Sequence, residues 1–393
     1  MHVKRDVMWV LSLIILTLSV LFAIGTFLTL SVALAIDETS VGSIYLGNHS
    51  VSEYPTYLER RVSEWRTNAS YRLSFQGFVY EIDLQKIDFD SEETIHRIIR
   101  NEKNLAVFTI DDFNKNTLLS NIESRFSTTV FDHFDSVTFF SDLLSDLSHL
   151  YQVKTYRLDQ YLFPESAQTV IASTIVDGLD PDDVIAIVGS GNDYVIRPTS
   201  RFSLLYTTSG MNLDNHQLSI IASAMQKATS DTRFHSFIYR GWSEMPSWAE
   251  TGMNVRVMRV AGLDFSFFNP MDFAYQFAIS SESVTSIRLE LIGHPFVETI
   301  HSQWEMTATI PYTIETIDDA SVDASTPGVM VIDTADETIY RVVVRPGSDG
   351  SVWCLNRTIV PPGSVSFTER VAIDERPSIS AIYRENTVSK GGE

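Results

Sequence analysis

The chain has 393 residues and carries 50 acidic against 29 basic side chains, a formal net charge of −21. No block of Lys or Arg occurs beyond the N-terminus, which excludes nucleic acid as a partner, because a duplex needs a basic footprint. Cys354 is the single cysteine, so no intramolecular disulfide can form, and the length suits roughly two or three domains with cores of their own.

Taken in chain order, residues 7–36 run without one charged side chain, after Lys4 and Arg5 and before Asp37 and Glu38. As a helix this run reaches roughly 45 Å, more than the roughly 30 Å hydrocarbon core of a bilayer. It is about twice the apolar core of a secretory signal, so an uncleaved anchor is expected, with Ala33-Leu34-Ala35 keeping a cleaved signal peptide as the alternative. Lys4 and Arg5 favour a cytoplasmic N-terminus, which would place residues 37–393 outside the cell. The expected organisation is an anchor over 1–36, an α/β domain over 37–194, an α+β domain over 195–300 and a β-rich module over 301–393.

Within 37–194 the pattern predicts a strand at 41–46, a helix from Ser52 through Trp65, and a hairpin of 71–75 and 78–82 about Gln76-Gly77. Helices are expected over 91–102, 137–150 and 167–176, and strands over 105–110 and 184–188. The clusters Asp180-Pro181-Asp182-Asp183 and Gly189-Ser190-Gly191-Asn192-Asp193 lack calcium-loop spacing and read as solvated turns. After Arg197-Pro198 a helix is expected around 214–227, where Asp214 and Gln217 form a capping arrangement and Leu218, Ile221, Ala222 and Met225 an apolar stripe. Strands should follow at 255–260, 263–268, 273–279 and 287–291. From His301 onward the pattern is strand and turn only, with strands at 329–332 and 340–344.

Several of these pieces together resemble the VanW domain of bacterial envelope proteins: Arg197-Pro198-Thr199-Ser200-Arg201-Phe202-Ser203 with Gly210, the helix opened by Asp214, Arg240-Gly241-Trp242-Ser243 through Pro246, Trp248-Ala249-Glu250-Thr251-Gly252, and Leu263-Asp264-Phe265 leading to Asn269-Pro270. The resemblance covers about residues 195–298. The strand and helix opening the α/β region are similar to the peptidoglycan-binding modules described for that family. The resemblance implies a cell-envelope protein with cell-wall polymer, peptidoglycan, as its partner. Two departures bear on chemistry. Family members commonly carry Cys-Gln-Val-Ser at the helix start and a later Arg-His-x-His-Ser; here His216 stands for the cysteine, and Gly241 and Trp242 interrupt the histidine pattern. A cysteine at a helix N-terminus beside histidine would have the lowered pKa of a thiolate nucleophile, and His216 does not replace that chemistry.

Catalytic residues are therefore not assigned, and the leaning is towards a non-enzyme. The expected ligand-binding residues are His216 and Gln217 at the helix mouth with Arg240, Trp242, Ser243 and Trp248, the indoles and nearby Tyr239 offering flat faces to sugar rings. His294, His301 and Glu305 lack zinc spacing, so no metal and no cofactor are expected, and Cys354, within an apolar strand pattern, reads as an inert core thiol. Three functions remain open: a membrane-anchored wall-polymer binder, a wall-modifying enzyme using His216, Gln217 and Ser219, and an assembly or sensor subunit acting through protein contacts, with other envelope proteins as partners.

Overall fold

The computed structural model describes residues 3–33, 37–191 and 194–390. Leu34 and Ala35 of the cleavage pattern, and Asn192 and Asp193 of the second turn cluster, lie outside the described residues. The described chain mixes helix and strand as far as residue 229 and continues in strands, an α+β composition. It divides into two compact units. One holds the chain up to Phe75 with Val79–Ile122 and Asp135–Tyr161, and the other Gln76–Phe78, Glu123–Phe134 and everything from Leu162 onward.

The first helix, Val3–Ala33, contains a stretch, Met8–Phe27, of 20 residues with mean hydropathy 2.5 and no burial, long and apolar enough to cross a membrane. Its hydroxyls do not compromise that. Ser12, Ser19 and Thr26 donate back to the carbonyls of Met8, Ile15 and Phe22, so each polar group is satisfied inside the helix.

In the first unit the expected opening strand is split into a small hairpin, Ser40–Val41 with Ile44–Tyr45, turning at Gly42-Ser43. The helix Tyr54–Asn68 buries Tyr54, Leu58, Val62 and Trp65, one stripe at helical spacing. Strands Ser70–Phe75 and Phe78–Glu81 turn at Gln76 and Gly77, both at positive φ (49° and 84°), the backbone a two-residue hairpin loop of this hand demands. Ser136–Ser148 is capped by the Asp135 side chain and buries Phe139, Phe140, Leu143 and Leu147. The helix begun at Ser91 stops at His96 instead of 102, and the helix Asp112–Phe126 had no counterpart in the sequence reading.

The second unit corrects three expectations. Residues 167–176 form the edge strand Val170–Val176 of an antiparallel sheet with Ser286–Ile292, Tyr275–Ser283 and Tyr194–Ile196, as suits five β-branched side chains in seven. Residues 184–188 are not a strand but lie in the helix Pro181–Gly189, capped by Asp180 with Pro181 as its first residue. Residues 255–260 enter no sheet. The helix Asn215–Thr229 is buried on nearly every side, with Leu218, Ile221, Ala222 and Met225 fully enclosed. A second sheet, Ser200–Ser203, Ser266–Asn269 and His235–Ile238, supplies the stack of Phe202 and Phe234 on Phe267, each with ring centroids 5.1 Å apart.

From Thr299 the described chain is strand and turn: a sheet of Thr299–Ile310, Gly350–Val360 and Phe367–Arg376, then one of Ile314–Asp318, Ala381–Ser389, Glu337–Arg345 and Met330–Asp333. Arg357 is wholly buried and donates to the carbonyls of Ser230 (3.1 Å) and Phe234 (2.9 Å), just beyond the Asn215 helix, where carbonyls lack helical partners. Burial lowers its pKa to about 10.

Candidate functional site

The site is built on the Asn215 helix. At its start the Asp214 carboxylate accepts from the Gln217 N–H at 2.8 Å and the Gln217 side-chain oxygen accepts from the Asp214 N–H at 3.1 Å, so the expected capping box is present. The other end of the Gln217 carboxamide donates to Asp183 at 3.0 Å. The second oxygen of Asp183 lies 3.5 Å from Nε2 of His216. Asp183 thus ties both candidate residues of the helix mouth to the first turn of the Pro181 helix, where a carboxylate also meets the positive end of a helix dipole. His216 keeps 47% of its side chain exposed, whereas Asp183 keeps 16%.

Further along, the helix carries a column of polar side chains, Asn215, Ser219, Ser223 and Gln226, facing the extended segment 254–259. Ser223 accepts from the Val255 N–H at 2.8 Å, Ser219 from Val257 at 2.9 Å, Asn215 from Arg259 at 3.0 Å and Gln226 from Asn254 at 3.1 Å. The spacing explains the match for three rungs: four helical residues rise about 6 Å and two extended residues about 6.7 Å, so Asn215, Ser219 and Ser223 meet every second amide, and the longer Gln226 takes the adjacent Asn254. Backbone that would otherwise need a sheet neighbour is satisfied by helix side chains. Ser219 is accordingly 1% exposed and its own hydroxyl donates to the Asn215 carbonyl at 2.6 Å. It has neither access nor a free proton acceptor role for catalysis.

The segment 254–256 in turn pairs with Arg240-Gly241-Trp242. Arg256 N–H donates to the Arg240 carbonyl at 2.7 Å, Gly241 bridges Val255, and Trp242 N–H donates to the Asn254 carbonyl at 3.2 Å. A Cβ on Gly241 would sit 2.6 Å from Oδ1 of the buried Asp374, itself held by Asn254 at 2.8 Å, so a larger residue has no room there. The Trp242 indole N–H donates to the Val255 carbonyl at 3.1 Å, and the Arg256 guanidinium covers its ring at 5.3 Å.

The six candidates therefore fall into two groups. His216 and Gln217 gather on Asp183, and Trp248, at 7% exposure, is a core residue that meets His216 only edge-on, with ring centroids 6.0 Å apart. Arg240, Trp242 and Ser243 gather with Arg256 near Ser223, about 10 Å along the helix from His216. The flat platform expected of Trp242 and Trp248 is not formed: one is buried, and the other is half-buried beneath an arginine. Tyr239 is partly buried, and burial followed by the Asp374 charge raises its hydroxyl pKa.

Asp183 and Arg256 were missed from sequence. Asp183 was signalled by Asp180-Pro181, a cap followed by a proline at the first helical position. Arg256 had no sequence signal, because its partner is set by tertiary pairing. His294 is bonded to the buried Ser166 at 2.7 Å and Glu305 accepts from Asn356 at 3.0 Å. Among the described residues no three His, Cys, Asp or Glu converge on a metal position.

No protein-family model matches the chain, and no curated protein does. Among solved structures, one described as "Crystal structure of HP0197-G5" is similar at 15% identity over 22% of this chain and 95% of that one, with a TM-score of 0.13.

Proposed function

We propose that this chain is a diverged VanW family protein, held in the membrane by its N-terminal helix with residues 37–393 outside the cell, where it binds cell-wall polymer without catalysing a reaction. The observation that carries the reading is the helix mouth. A half-exposed imidazole stands 3.5 Å from a carboxylate that the capping carboxamide of Gln217 holds in place, which offers a ligand a preset hydrogen-bonding group. The neighbouring hydroxyl, Ser219, is spent on backbone, which leaves no activated nucleophile beside the imidazole. The unburied helix Met8–Phe27 supports the anchor, and the basic residues before it support the orientation.

A second reading, an assembly subunit contacting envelope proteins, draws on the C-terminal four-stranded sheet, where Ile314, Met330 and Val343 are exposed. One preparation tests both. The full chain in detergent should pellet with insoluble peptidoglycan, release no muropeptides, and bind more weakly as His216→Ala. Mass analysis should find residues 1–36 retained. Release of soluble fragments that His216→Ala abolishes would establish an enzyme instead. A mature chain beginning at Ile36 would end the anchor, and failure to pellet would favour the assembly subunit.

A further inference from the structure

Arg240 and Arg256 stand directly opposite each other in the short antiparallel pairing described above, where opposed residues share a face. Like charges in that position repel. The chain has 50 acidic residues for 29 basic ones, so a carboxylate partner was abundantly available to either arginine. Neither has one: among the described residues no ion pair includes Arg240 or Arg256, and Glu244, two positions beyond Trp242, pairs with neither.

The pair is also held in place. Arg256 lies on the Trp242 ring, and the ring cannot swing away because its N–H is bound to the Val255 carbonyl, which belongs to the segment clamped by Ser223. Arg240 is exposed beside it, followed by the exposed hydroxyl of Ser243. Two unpaired guanidinium forks, one of them fixed in advance, present the planar donor geometry that carboxylates and phosphates accept in bidentate fashion.

We propose that Arg240 and Arg256 form an oxyanion-binding site for the acidic groups of the wall polymer, carboxylate or phosphodiester, with Trp242 as the positioning residue that holds Arg256. This rests on the wall-binding reading and names the ligand chemistry of that surface. It also changes the part played by Trp242, whose covered face serves the arginine instead of a sugar.

The test uses the full chain in detergent and two probes: intact wall carrying a phosphodiester polymer, and the same wall stripped by acid to bare peptidoglycan. Arg240→Gln and Arg256→Gln should each weaken pelleting roughly tenfold or more, the usual scale for losing a charge-assisted hydrogen bond. Binding by the double variant should become nearly insensitive to salt. Loss on both walls assigns carboxylates as ligand, and loss on intact wall alone assigns phosphodiesters. Trp242→Phe, which keeps a ring and removes its anchor, should weaken binding in the wild-type background and add nothing once Arg256→Gln is present, a coupling that simple structural damage would not produce. Unchanged binding of the double variant to both walls, with the wild type bound, overturns the arginine site and leaves wall binding standing. No wild-type binding to either wall overturns both.

Discussion

Replacing Ser223 by alanine tests whether helix side chains, and not a sheet, hold the segment 254–259. The substitution removes the acceptor of the Val255 N–H, and Val255 is fully buried, so no water can replace it. An orphaned buried amide costs about 1–3 kcal/mol. Alanine regains only a few tenths of a kcal/mol in helix propensity, so the loss dominates. Thermal unfolding of the full chain in detergent should register it in the transition of the larger unit, at about 2–4 °C per kcal/mol for a unit of this size. Ser219→Ala, which orphans the Val257 amide, should behave alike, and the two losses should fall short of additive because one segment is released by either. Hydrogen exchange at Val255 and Val257 gives a local readout: protection should fall at the amide that lost its hydroxyl. Ser223→Ala that melts at or above the wild type, with both amides still protected, would refute the column as the segment's support.

Two further outcomes follow from buried charges. Arg357→Met, which fills similar volume but leaves the carbonyls of Ser230 and Phe234 without donors, should destabilise by roughly 1–3 kcal/mol per lost acceptor, and a melting temperature unchanged from wild type would refute it. Glu298 has its pKa raised above the ordinary 4.5, by burial first and by Glu369 to a lesser degree, against the pull of Arg233 at 3.4 Å. Its folded form therefore holds a proton that the unfolded chain has released just above pH 4.5, so stability from this group falls as pH rises through that window. Glu298→Gln should flatten that part of the melting profile and raise the melting temperature at neutral pH, whereas an unaltered slope would show that another group sets it.

Where the sequence was legible, local chemistry agreed with tertiary demand. The Gln76-Gly77 turn, the Asp214–Gln217 capping box and the helix expected over 137–150, observed as Ser136–Ser148, all form as their residues dictate. The failures are of two kinds. At 167–176 and 184–188 the element type was inverted because short apolar runs carry little periodicity; β-branched content should have decided the first, and the Asp180-Pro181 cap the second. That second inversion hides Asp183, since a solvated turn gives no reason for a carboxylate to anchor His216 and Gln217, whereas the first turn of a helix does. At 255–260 no local rule could have helped. Alternating apolar residues predict an extended segment, and the chain runs so as far as Met258 before turning at Arg259-Val260, but whether its neighbour is a strand or a helix is settled elsewhere in the chain.

Yet that neighbour leaves a mark on its own residues. A helix enclosed on nearly every side should be apolar all round, and Asn215–Thr229 instead keeps Asn215, Ser219, Ser223 and Gln226 at intervals of four, four and three. A polar stripe at that spacing, sealed from water at Ser219, Ser223 and Gln226, states that something with unmet backbone groups lies along it, because buried hydroxyls and amides need partners. The stripe fixes where Val255 sits, Val255 fixes the Trp242 indole, and the indole fixes Arg256 opposite Arg240. The geometry of the arginine pair is thus traced to two serines on a helix, so under the proposed wall-binding function a change at Ser223 should reach binding through Arg256 as well as stability. Ser223→Ala that lowers the melting temperature but leaves affinity for wall intact would break that chain of dependence at the indole.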